Sequence, residues 1–188
     1  MNFANKISTF RILSVPFFIA SLIYYYHYPE KDYIRLIALF IFILGVLSDA
    51  VDGYIARKSK QNSQAGLILD PLGDKLLLVS AFICLFFFPA RIKFPLWVTL
   101  IVVSRDAIIL LGALIIFILK QHMNIFPTKW GKLTTTFQMS SVIAVLIQWR
   151  FAYILMLLAV IFTIISGIDY IMRGFKTLYA LDNSWNHR

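Results

Sequence analysis

Charge-free, largely apolar runs recur along the chain at 12–26, 36–48, 76–90, 94–104 continued by 107–119, 133–149 and 151–168, separated by short charged or turn-rich stretches. Their lengths suit helices and not strands, and the set predicts an all-α integral membrane protein with six spanning helices. Several runs fall short of the about 20 residues that a bilayer demands. The second must therefore borrow residues past Ser48, and the fourth must carry Arg105 and Asp106 near mid-depth. Ahead of the first run, Phe3, Ile7 and Phe10 recur at helical spacing with Asn2, Lys6 and Thr9 opposite. That pattern predicts a short amino-terminal helix lying in the membrane interface, against the plainer alternative of a frayed terminus.

Composition agrees with the pattern: 60% of the residues are hydrophobic and 14% charged, with a mean hydropathy of +0.79. Six spans and their connections use up 188 residues, so a single membrane domain, 1–188, is expected, with no sizeable soluble part. The lone Cys84 excludes an intrachain disulfide and reads as a small core hydrophobe. The first residues show neither a cleavable signal pattern nor a transit-peptide composition, which favours a bacterial plasma membrane over an organelle. Counted over alternate sides of six spans, twelve Lys and Arg fall on the side of both termini and five on the other, which puts the termini and the 57–64 connection in the cytosol. The net charge of +9 largely restates this bias. The basic residues are dispersed over helix ends and form no arm or recognition helix, so nucleic acid is not an expected partner.

Acidic residues stand out against this background. Asp49, Asp52, Asp70 and Asp74 fall at or inside the membrane boundary, where an unpaired carboxylate costs several kcal/mol. Asp49 and Asp52 are three apart and Asp70 and Asp74 four apart, so each pair shares a helical face, and the polar turn between them brings the faces together. An all-oxygen set without His or Cys suits Mg²⁺ or Mn²⁺, with room for two ions. Gly53 and Ala56 leave space against the backbone, and Arg57 offers a planar fork for phosphate. Pro71 after Asp70 fits a first helical turn with Asp70 as its cap. Lys75, beside Asp74, balances local charge.

The spacing D-x2-D-G-x2-A-R-x8-G-x3-D-x3-D resembles the signature of the CDP-alcohol phosphatidyltransferases (class I), with every fixed position met. Asn5 with Ser8-Thr9-Phe10-Arg11 is similar to that family's amino-terminal stretch, and Gly131-Lys132-x2-Thr135-x2-Gln138-Met139 to the fifth-span signature of its phosphatidylglycerophosphate synthases. The resemblance implies that Asp49, Asp52, Asp70 and Asp74 hold two divalent ions on the diphosphate of CDP-diacylglycerol. Gly53, Ala56, Arg57 and Gly66 would line the pocket for its CDP moiety. Asp74 would serve as general base towards the acceptor hydroxyl, with CMP released; a metal ligand is a good base only if it binds weakly or through one oxygen.

Arg105 and Lys132, with Arg11 and Lys129 behind them, are the candidates for holding an anionic acceptor. The plainer reading of Arg105 is a partner for Asp106 or a neighbouring acid, and of Asp169 a structural partner. His27, His122 and His187 read as solvated residues, and the tryptophans as an interfacial belt. Glycerol 3-phosphate is the preferred acceptor. Asp106 with Gly112-Ala113, and Thr134 where a second lysine is usual, depart from that pattern, so phosphatidylglycerol, as in the cardiolipin synthases, stands as the alternative. A polytopic cation carrier would not need Gly53, Ala56 and Arg57 at fixed offsets, and an intramembrane prenyltransferase would need different acid spacing. A homodimer is expected from the resemblance and from Gly45, Gly112 and Gly167, small residues that permit close helix contact.

Overall fold

Six helices account for the architecture of the computed structural model, which describes the backbone of residues 3–59, 66–120 and 129–185 and the side chains of residues 11–48, 75–112 and 129–173. They are α1 (Phe3–His27), α2 (Asp32–Ser59), α3 (Gly66–Phe86), α4 (Leu96–Lys120), α5 (Lys129–Ile147) and α6 (Ala152–Trp185), and no strand occurs among the described residues. Prolines punctuate the connections. Pro29 follows the end of α1, Pro89 follows α3, and Pro95 precedes α4, where its missing N–H costs nothing.

Helix α1 packs along both α2 and α3, α6 packs along α4 and α5, and α5 closes the bundle against α2 and α3. Phe18, Phe42, Phe82, Phe88 and Phe94 are wholly or almost wholly buried at the centre. Phe82 stacks on Phe94 at 4.3 Å and Tyr25 on Phe88 at 5.1 Å, which ties α1 and α3 to the stretch before α4. Outward faces are apolar too: Phe17, Phe40, Phe87, Leu100, Leu133 and Ile154 are all exposed. Hydroxyls turn inward to their own helices, as Ser14 Oγ does to Arg11 O (2.7 Å) and Ser80 Oγ to Leu77 O (2.9 Å), which satisfies them without water.

Among the described residues one stretch, Ala152–Arg173, is long and apolar enough to cross a membrane on hydropathy alone. As expected, α2 extends beyond Ser48, and α4 runs unbroken through Arg105 and Asp106. Two expectations are corrected. The separate interfacial helix is absent: residues 3–11 are the opening turns of α1, because no Gly or Pro interrupts the ladder before Pro16. Asp70 is not a cap, since α3 starts at Gly66, a turn earlier. Pro71 removes one ladder bond near the helix start, where few bonds exist to lose.

Helix α5 ends in a Schellman turn with Gln148 at φ 60°, a place usually given to glycine. Trp149 N donates to Ala144 O (2.9 Å) and Gln148 N to Val145 O (3.0 Å). The Gln148 side chain earns the exception by clamping the α3–α4 connection: its Nε2 donates to Ile92 O (2.8 Å) and Val145 O (2.7 Å), and its Oε1 accepts from Ile92 N (2.9 Å). Gln148→Ala is therefore expected to cost about 1–3 kcal/mol, read as a lower melting temperature of the solubilised protein.

Candidate active site

Helix register places the four acids. Gly45 of α2 touches Leu77 of α3 so closely that a Cβ at position 45 would lie 2.5 Å from Leu77 Cδ2 and 3.6 Å from Ser14 Oγ. From that contact both helices lead towards the connection between them, and both meet their acids on the way. Positions 49 and 52 follow Gly45 by four and seven residues, and positions 74 and 70 precede Leu77 by three and seven, so each pair lies on the face of the contact. Arg11 is buried here and lines a small cavity with Phe42, Gly45, Leu77 and Met139.

The side chains of Asp49, Asp52, Gly53, Ala56, Arg57, Gly66, Asp70 and Asp74 lie outside the described residues; their backbones are helical, with Gly66 opening α3. Their chemistry fits hard divalent ions: four carboxylates, no softer donor, and two helix faces that converge below them. Among the described residues there is no cluster of three or more His, Cys, Asp or Glu.

A second charged centre lies on α3, α4 and α6. Asp106 is wholly buried, and its Oδ1 accepts from both Arg105 Nη1 (2.7 Å) and Lys75 Nζ (2.9 Å). Arg105 Nη2 donates to Ser166 Oγ, and the Arg105 stem packs on Gly167. Arg105 Nε and Asp106 Oδ2 have no hydrogen-bond partner among the described residues. The plainer reading of Arg105, a partner for Asp106, thus holds in the geometry, although neighbours in a helix point apart and only the long arginine stem lets them meet. Sequence reasoning missed Ser166, and saw Lys75 only as local balance.

Lys132 is exposed in the first turn of α5, and among the described residues no close backbone approach joins α4 to α5. Lys129 is exposed as well. Gln138 and Thr134 join α5 to α6: Gln138 Nε2 donates to Thr163 Oγ1 (3.0 Å) and Thr134 Oγ1 to Phe162 O (2.8 Å). Asp169 pairs with Arg173 at 2.9 Å, as a structural partner should. His27 is exposed and bonds to Ile23 O, while His122 and His187 lie outside the described residues. Trp97, Trp130 and Trp149 are exposed at helix ends, and Cys84 is half-buried beside an apolar cavity with Leu22, Tyr26 and Phe87.

The three glycines considered for subunit contact serve inside the chain. Gly45 meets Leu77, Gly112 faces the Tyr170 ring so closely that a Cβ there would lie 3.1 Å from it, and Gly167 meets Arg105. They give no support to a dimer, because their close approaches are already taken.

The helical course of α2 and α3 through the four acids suits the class that the sequence profile identifies. The sequence profile of the CDP-alcohol phosphatidyltransferases matches residues 1–165, and the chain belongs to that family of membrane-associated phosphatidyltransferases. A protein of Aquifex aeolicus named CDP-diacylglycerol--glycerol-3-phosphate 3-phosphatidyltransferase is 29% identical over 95% of this chain and 99% of its own. One of Haemophilus influenzae with the same name is 33% identical over 94% of each chain, and one of Bacillus subtilis, also so named, is 28% identical over 94% of this chain and 97% of its own.

The Gly45–Leu77 approach gives this site a mechanical test. Gly45→Val is expected to push α2 from α3, costing about 1–3 kcal/mol in stability and lowering CMP release more than tenfold even in the folded fraction. Melting curves and activity per folded molecule check the two parts separately.

Proposed function

We propose that this protein transfers the phosphatidyl group of CDP-diacylglycerol to glycerol 3-phosphate, giving phosphatidylglycerophosphate and CMP. The near full-length similarity to relatives named for that reaction carries the reading. All six helices span the bilayer, with the acids near its cytoplasmic face; the apolar outward faces and inward-turned hydroxyls support this arrangement. The chain resides in a bacterial plasma membrane as a homodimer, a state for which family membership is the support. Crosslinking in native lipid that yields only monomer would refute the dimer.

Asp49, Asp52, Asp70 and Asp74 would hold two Mg²⁺ or Mn²⁺ ions, which when bound neutralise the diphosphate and the charge growing on CMP. Gly53, Ala56, Arg57 and Gly66 shape the pocket for the CDP moiety, small residues admitting the nucleotide and Arg57 gripping phosphate. Asp74 takes the proton from the acceptor hydroxyl. The hydroxyl oxygen then attacks the lipid-side phosphorus, forming one P–O bond as the P–O bond to CMP breaks. Arg105 and Lys132 supply positive charge to the acceptor phosphate, Arg105 from the buried centre and Lys132 from the exposed start of α5. The test is product identity: purified protein in liposomes with CDP-diacylglycerol, glycerol 3-phosphate and Mg²⁺ should yield phosphatidylglycerophosphate by mass spectrometry. Cardiolipin formed from phosphatidylglycerol instead would overturn the acceptor assignment.

A further inference from the structure

One carboxylate holds the second charged centre together. Asp106 is inaccessible to solvent, and a single oxygen of it receives both Lys75 from α3 and Arg105 from α4. Ser166 from α6 fixes the other arm of the same guanidinium. Among the described residues two cations meet one anion here, a surplus of one positive charge in a place where unpaired charge is expensive. Arg105, only 9% exposed, has no hydrogen-bond partner for its Nε among the described residues. A buried centre with that surplus attracts an anion and repels a cation.

Its position relative to the chemistry is set by the chain. Lys75 directly follows Asp74, so the ion pair ties the turn of α3 that carries the proposed base to the cation of α4. In glycerol 3-phosphate a three-carbon backbone links the attacking hydroxyl to the phosphate. A hydroxyl at Asp74 therefore leaves the phosphate only a short step away, a distance that long side chains such as Lys75, on the same turn of α3, and Arg105, paired to it through Asp106, can cover. We propose that Asp106 is a positioning residue for acceptor recognition: its carboxylate holds Lys75 and Arg105 in the arrangement that receives the acceptor phosphate, with Ser166 locking the guanidinium. Lys75 thereby becomes a phosphate-facing cation, a role that spacing alone did not give it. This inference rests on the acceptor reading above.

The kinetic signature differs from that of a residue that merely supports the fold. Asp106→Asn keeps size but loses the charge that both cations require, and it should raise the KM for glycerol 3-phosphate about tenfold or more while leaving the KM for CDP-diacylglycerol within about twofold. Asp106→Glu keeps the carboxylate and should recover most of that loss. Ser166→Ala removes only the guanidinium lock and should raise the acceptor KM about threefold to tenfold, which keeps the test available if Asp106→Asn does not fold. An unchanged acceptor KM in both Asp106→Asn and Ser166→Ala, equal rises in both KM values, or a loss that Asp106→Glu fails to rescue would overturn the inference. The wild-type protein in the same assay separates the two levels. Wild-type turnover with unaltered variants overturns the role of Asp106 alone, whereas wild-type silence with glycerol 3-phosphate overturns the acceptor reading and this inference with it.

Discussion

Asp49→Asn should reduce CMP release by more than about a hundredfold while leaving the helical content and melting temperature close to those of the parent. The magnitude follows from the place of the residue: even a group that only orients a metal ligand costs about 10–100-fold when removed, and Asp49 is proposed as a ligand itself. The stability should not suffer. Four carboxylates facing one another repel in the absence of cations, so neutralising one relieves repulsion and removes no packed apolar surface. Raising Mg²⁺ or Mn²⁺ should recover part of the activity if the loss is one of affinity. Activity near the parental level at ordinary Mg²⁺ would remove the metal assignment.

Asp74→Asn carries the second large effect, about 10²–10⁴-fold on kcat, because it removes the proposed proton acceptor and the amide cannot replace it. The dependence on Mg²⁺ then separates two roles that one carboxylate is asked to play. If Asp74 is chiefly the base, the half-saturating Mg²⁺ concentration stays within about threefold of the parent. If it is chiefly a ligand, that concentration rises tenfold or more, and the position of the base must be sought elsewhere. A loss of kcat below about tenfold would argue against both roles.

The helical setting of the four acids was legible because it is local. Spacings of three and four residues announce a shared face before any tertiary contact is known, and the helical course of α2 and α3 through all four positions agrees with that reading. Helix ends were less legible, for an identifiable reason. Hydropathy marks where apolar surface stops, and a helix need not stop there. At the close of α6 the apolar run ends at 168, yet the helix continues to Trp185; the Asp169–Arg173 pair, one turn apart, belongs to that helix and not to a loop. At the start of α1 the polar–apolar mixture of residues 3–11 suggests a separate amphipathic element, yet it is continuous with the helix. Backbone continuity depends on breakers, and none is there.

The centre around Asp106 was the hardest part to read. Lys75 lies 31 positions from Asp106, and Arg105 lies 61 positions from Ser166. No periodicity within a helix reports such pairings. They arise where side chains of α3, α4 and α6 meet, and the signal in the chain was the improbability of Arg105 and Asp106 lying in an apolar run without partners. Gln148 shows the same limit: a glycine-like conformation held by a glutamine makes sense only once Ile92, 56 residues away, is seen to receive its side chain.

The most direct test of the central claim is CMP release by the purified protein with CDP-diacylglycerol and Mg²⁺, comparing glycerol 3-phosphate, phosphatidylglycerol, inositol phosphate and serine as acceptors. Release that requires the divalent ion and glycerol 3-phosphate, and that the other acceptors do not support, is the predicted result. Release with phosphatidylglycerol but not glycerol 3-phosphate would contradict the acceptor assignment, and no release with any acceptor would contradict the transferase reading itself.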